Sequence, residues 1–171
     1  MIEIIPPLTE YAELWFQWRS QAEMLRYNPV AVKTLEDLRA RLSKAGHDLS
    51  DLNSAEEFVF FIRHDNTLVG TVTLKNINHM MMYAEIGYGI DANYQGRGLG
   101  TGAVRLLVNK IFSETKLRRL MAFVAEENIA SRKLLEKVGF LQEGVCREHY
   151  IINGQPVNEV LYGLLRSEWE R

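Results

Sequence analysis

The chain is poor in the residues that would place it in several common classes. It has one cysteine, Cys146, so no disulfide can close within it. That fits a reducing compartment, and a cytoplasmic location is the expectation. Four prolines and twelve glycines in 171 residues leave no Pro/Gly/Ser-rich linker, and no repeat or low-complexity tract is visible. One domain over residues 1–171 is expected. No apolar run approaches the ~20 residues needed to span a bilayer, so no membrane partner is expected. The opening MIEIIPPL lacks a basic segment followed by a long apolar stretch, which argues against a secretory leader. Basic residues are not in excess. The net charge of -2 argues against a general nucleic-acid binder, and no nucleic-acid partner is expected. The four histidines are scattered without ligand spacing, so no metal is expected.

What is present is a clear alternation of patterns. Residues 1–5 are short and β-prone, and Pro6-Pro7 stops them. Thr9 is placed to cap a helix carrying Tyr11, Leu14, Trp15, Trp18, Ala22 and Leu25 on one stripe, ended by Asn28-Pro29. Thr34 with Asp37 starts a second helix, through Leu35, Leu38 and Leu42, which Gly46 should stop. An acidic loop covers 47–57. Strands follow at about Phe58–Arg63, Leu68–Leu74 and Tyr83–Ile90, the first two joined by a turn at His64–Thr67. A glycine loop then opens an apolar helix through Ala103, Leu106, Leu107 and Ile111. Arg119–Ala125 is the next strand, and Asn128–Val138 a helix with Asn128 as N-cap and Gly139 just past its end. Two closing strands, about Leu141–Ile152 and Val157–Leu165, flank Asn153-Gly154, a strong hairpin signal. The order β-α-α-β-β-β-α-β-α-β-β favours an α+β mixed sheet over a doubly wound one. Trp15 and Trp18 are expected in the core.

The loop Gln95-Gly96-Arg97-Gly98-Leu99-Gly100 carries the chemistry. Three glycines in five residues let the backbone turn sharply at a strand-to-helix junction. The free N–H groups of the helix's first turn, with its dipole, then form an anion site suited to phosphate. No G-x-x-x-x-G-K-[ST] occurs, which excludes a P-loop. Gly98-Leu99-Gly100-Thr101-Gly102-Ala103 does match a dinucleotide fingerprint. The preceding strand is glycine-broken, however, and Arg118 stands where an acidic ribose ligand belongs. Cys146 and His149, three apart in a predicted strand, should face opposite sides and so make a poor nucleophile–base pair.

Gln95-x-x-Gly98-x-Gly100, with the run from Asn128 through Ser131 to Gly139-Phe140, resembles the two signatures of the GNAT family of N-acetyltransferases. The serine-bearing form resembles its RimJ/RimL-like branch. The likeness spans about Phe58 to Trp169. It implies a mostly antiparallel sheet of about seven strands with about four helices, splayed between the fourth and fifth strands, with acetyl-CoA as cosubstrate in the gap. By resemblance the pantetheine pairs beside the fourth strand, where Gly87 and Gly89 suit a close approach and the N–H groups near Tyr88 and Ile90 meet the thioester carbonyl. Gln95, Gly96, Arg97, Gly98, Leu99 and Gly100 would hold the pyrophosphate, Asn128 the pantetheine, and Lys133 or Arg97 a phosphate. Glu85, on the face of Gly87 and Gly89 by alternation, is the candidate base, acting through water. Many relatives protonate the leaving thiolate with a tyrosine seven residues after the asparagine. That position is Leu135 here, and Ser131, one turn earlier on the same face, is the candidate in its place. The expected acceptor is a primary amine, best a protein or peptide N-terminus. A polyamine, or no acceptor at all in an acyl-CoA-binding module, remain the alternatives. The oligomeric expectation is monomer or homodimer.

Overall fold

The computed structural model describes residues 1–28 and 34–169. Pro29, expected to end the first helical region, lies outside the described residues. The strands are β1 (Ile2–Ile5), β2 (Phe58–His64), β3 (Thr67–Asn78), β4 (Tyr83–Ile90), β5 (Arg119–Ala125), β6 (Leu141–Ile152) and β7 (Gln155–Leu165). The helices are α1 (Ala12–Arg19), α2 (Ala22–Tyr27), α3 (Leu35–Lys44), α4 (Leu99–Glu114), α5 (Ile129–Val138) and α6 (Arg166–Trp169). The seven strands form one sheet in the order β1-β2-β3-β4-β5-β7-β6. Its one parallel pair is β4 with β5.

Helices cover both faces, and β2 shows why. Its run FVFFI is apolar without alternation because both faces are buried. Phe58, Phe60 and Ile62 join Leu107, Ile111 and Leu135 of α4 and α5 on one face. Val59 and Phe61 join Trp15, Trp18, Leu38 and Leu42 of α1 and α3 on the other. The Phe61 ring meets Tyr11, Trp15 and Trp18 with centroids 5.0, 5.9 and 6.1 Å away. Such pairs contribute roughly 0.5–1.5 kcal/mol each beyond area burial. The two tryptophans thus sit in the core, as expected.

Four local expectations need correction. The first helical stripe is broken at Ser20-Gln21, because the Gln21 side chain leaves the helix line to bond Asp91 Oδ1 at 2.8 Å and the Ala92 N–H at 2.9 Å. Thr9 opens a short 3-10 turn, Thr9–Tyr11, with no side-chain cap, and α1 begins only at Ala12. Gly46 does not end α3, which closes at Lys44. It bridges to Phe58, whose ring leaves no room for a Cβ there. The helix count is six rather than four among the described residues, since the first region divides and α6 ends the sheet. Other punctuation is as read. Thr34 accepts from the Asp37 N–H at 3.1 Å. Gly139 takes φ 118° past α5, and Asn153-Gly154 turns with φ 50° and 75°.

The feature that positions a site is the gap in the sheet. β4 and β5 pair only at Tyr83–Arg119, Ala84–Leu120 and Glu85–Met121. Beyond Glu85 each strand stays attached to its other neighbour, β4 to β3 and β5 to β7. The remainder of each strand therefore presents one unpaired edge to a wedge-shaped cleft, a ready template for an extended ligand.

Candidate active site at the splayed strands

β4 runs through the cleft and ends at Ile90. The chain then turns through Asp91 and a 3-10 segment, Ala92–Tyr94, into the glycine loop. Gln95 holds this junction from inside, its Nε2 donating to the Ile90 carbonyl at 3.0 Å. Gly96 and Gly98 adopt φ 75° and 76°, the left-handed region that L side chains enter at a cost. A Cβ on either would meet nothing within 4 Å, so the loop is open above its own backbone. The first N–H donating along α4 is that of Gly102, to Gly98 O at 3.1 Å. The N–H groups of Leu99, Gly100 and Thr101 precede it and face the loop, as an anion site requires. Gly100 is small for another reason: a Cβ there would come within 2.8 Å of Leu134 Cδ1 on α5. The loop thus fits a phosphate-bearing ligand on both counts, open space above and unpaired donors below.

A cavity of about 540 Å³ joins the loop to the cleft. Tyr88, Ile90, Gly96, Gly98, Leu99, Gly100, Asn128, Ser131 and Lys133 line it, as do Gln95 and the unanticipated Tyr94, Thr101 and Lys137. Its fourth wall is α2, through Glu23, Met24, Arg26 and Tyr27. Met24 reaches β4 itself, with Cε where a Gly89 side chain would stand. Two predicted residues lie outside the lining. Arg97 turns back to donate to Asn93 O at 3.0 Å and stacks on Tyr94. Glu85 sits at the last paired position of β4, on the sheet face opposite Tyr88, its oxygens held by Lys75 Nζ at 3.1 Å and Asn76 Nδ2 at 2.7 Å.

At the α5 end, Asn128 caps the helix by accepting the Ser131 N–H at 3.2 Å. The Ser131 hydroxyl then meets the Tyr88 hydroxyl at 2.6 Å. This pair bridges the cleft from β4 to α5. Burial pushes the Tyr88 phenol well above its ordinary range, the Ser131 hydrogen bond only partly offsetting it, so it stays neutral. Leu135 is fully buried and supplies no polar group to the cavity. From the family resemblance, Tyr88 matters for its backbone N–H. Its side chain could have been found only by noticing that alternation puts Tyr88 on the α5 face, opposite Glu85.

No group of His, Cys, Asp and Glu suited to a metal ion occurs among the described residues. No helix among them is long and apolar enough to cross a membrane.

The arrangement is shared. A family profile described as "Acetyltransferase (GNAT) domain" matches residues 2–141. The putative ribosomal N-acetyltransferase YdaF of Bacillus subtilis is 37% identical over 121 residues, covering 71% of this chain and 64% of that protein. The chain therefore spans somewhat less than two thirds of that relative. The spermidine N(1)-acetyltransferase of Escherichia coli K12 is 34% identical over 127 residues, 71% of this chain and 68% of that one. Among solved structures, Mycobacterium smegmatis RimJ in complex with CoA-disulfide superposes with a TM-score of 0.86 at 23% identity, over 99% of this chain and 84% of that one. At that identity the superposition bears on the fold alone. Profile, relatives and splayed sheet agree, and this chain belongs to the GNAT acetyltransferase family.

Proposed function

We propose that the chain transfers the acetyl group of acetyl-CoA to a primary amine, and that the amine is a protein or peptide N-terminus. The observation that carries the reading is the continuity of the free β4 edge with the open glycine loop. One face of the cleft suits an extended amide-bearing arm and its end suits a pyrophosphate. In the bound state the loop N–H groups would meet the pyrophosphate and Lys133 or Lys137 a further phosphate. The β4 N–H groups near Tyr88 and Ile90 would hold the thioester carbonyl and stabilise negative charge on its oxygen. Asn128 and Ser131 would face the pantetheine and the sulfur, with Ser131 directed by Tyr88.

Glu85 stands on the acceptor side of the same gap. Both of its oxygens are already engaged, so it suits drawing a protonated amine to the cleft and ordering a water there. The N-terminal acceptor is supported by the serine form of α5 and by the ribosomal relative. An amine of this kind, with a pKa of about 8, is partly neutral at physiological pH and needs only a modest base. The spermidine relative supports a polyamine as the second reading.

The test follows free thiol released from acetyl-CoA with three acceptors: a short peptide with a free N-terminus, an N-blocked peptide with one lysine, and spermidine. Preferential turnover of the first supports the proposal, and preference for spermidine replaces it with the second reading. Measurable CoA binding with no turnover of any amine reduces the chain to a binding module.

A further inference from the structure

On the acceptor side of the cleft, alternation brings together Glu85 of β4, Phe123 of β5 and Glu159 of β7. Phe123 is paired with Leu161 and Ala125 with Glu159, so all lie on the face away from α4 and α5. Regular alternation in β6 would send His149 to the other face. It does not, because β6 loses register with β7 between Cys146 and Tyr150, and Glu148 there takes φ 48°. A β-bulge of this kind re-aims one side chain. The His149 ring consequently lies over Phe123, centroids 5.0 Å apart, with Nδ1 2.6 Å from Glu159 Oε2. Phe123 is two residues, roughly 7 Å, beyond Met121, the partner of Glu85 where the strands part.

The pair has a definite polarity. Glu159 is the less exposed member, its side chain 14% exposed, and His149 the accessible one at 49%. With Nδ1 against a carboxylate, the neutral ring carries its proton on Nδ1, and Nε2 is left as an acceptor. Among the described residues Nε2 has no hydrogen-bond partner. Glu85, by contrast, is engaged at both oxygens.

We infer that His149 is the base that accepts the acceptor amine's proton, and that Glu159 is its positioning residue. The inference rests on the acetyltransferase reading above. The neutral amine nitrogen attacks the thioester carbonyl carbon, forming the C–N bond as its proton passes to His149 Nε2. The C–S bond then breaks, and the sulfur leaves as thiolate and takes a proton from solvent. The imidazolium, stabilised by Glu159 meanwhile, returns its proton to solvent. The charged and titratable groups around the pair are Tyr150 on β6, on which Glu159 acts electrostatically, and Arg19 of α1, which also acts on Tyr150.

The experiment measures kcat and the KM for acetyl-CoA of the full chain, with a short peptide bearing a free N-terminus as acceptor. His149→Gln should lower kcat about 100-fold or more, with the KM for acetyl-CoA unchanged. Glu159→Gln should lower kcat by a smaller factor, since the ring loses the carboxylate that orients it, and Glu159→Asp should restore most of the rate. An unchanged kcat in His149→Gln overturns the inference while leaving the acetyltransferase reading intact. So does a loss accompanied by a raised KM for acetyl-CoA. Failure of the unaltered protein to acetylate the peptide, spermidine or a lysine peptide overturns both.

Discussion

The Tyr88 and Ser131 hydroxyl oxygens lie 2.6 Å apart across the cleft, joining a strand to a helix 43 residues further along the chain. Each holds the other in one rotamer, and the Asn128 cap fixes the backbone on which Ser131 sits. Ser131→Ala should therefore lower kcat by about tenfold, with little change in the KM for acetyl-CoA. Tyr88→Phe should cost less, about fivefold, in line with ~1 kcal/mol for one hydrogen bond. In steady-state kinetics the double variant should be no slower than Ser131→Ala alone, because both act through one contact. Simple multiplication of the two losses would mean the hydroxyls act separately.

The same phenol makes a prediction about stability at high pH. Burial raises its folded-state pKa above the unfolded value of about 10, so the folded state holds this proton longer than the unfolded state does. Its contribution to stability is fully present below about pH 10 and is lost as pH rises above it. Urea unfolding from pH 8 to 11 should show a decline that is shallower in Tyr88→Phe. Parallel declines in the two proteins would contradict the burial argument.

Two glycines of one loop should respond to substitution in different ways. Gly98→Val places a β-branched residue at φ 76° with open space around it. It should cost about 1–2 kcal/mol of stability and abolish CoA binding, as read by calorimetric titration. Gly100→Val instead meets Leu134 at 2.8 Å and should act mainly by forcing α4 away from α5. Its larger effect belongs in thermal denaturation. If both variants bind CoA as the parent does, the loop is not the anion site.

Gln21 makes a further test because it ties α2 to the end of β4. Its side chain donates to Asp91, which is 8% exposed, and accepts from the Ala92 N–H. Gln21→Ala leaves a buried carboxylate short of a donor, at a cost of about 1–3 kcal/mol. Met24 and Tyr27 follow Gln21 in the cavity wall, so the KM for acetyl-CoA should rise several-fold. A stability loss with an unchanged KM would show that α2 holds its place by packing alone.

Glu85→Gln removes the anion opposite Lys75 on the acceptor side. The KM for the peptide amine should rise several-fold, with kcat little changed. A fall in kcat as large as that of His149→Gln would return the base role to Glu85.

The sequence by itself determined the strand order along the chain, the strand bounds to within a few residues and the glycine loop at the strand-to-helix junction, because each depends on local chemistry. Periodicity, Gly and Asn at positive-φ turns, and side-chain caps act over a few residues and can be read there. Residues of the two signature segments line one cavity. Tertiary structure decided the rest. Gln21 breaks a helix that its own stripe supports, because its partners lie 70 and 71 residues away on another element. Tyr88 and Ser131 meet only because the sheet splays after Glu85. His149 reaches the face of Glu159 only because a bulge cancels the alternation that assigned it elsewhere. Pairing across a cleft and register between strands depend on contacts distant in sequence, and no local pattern encodes them.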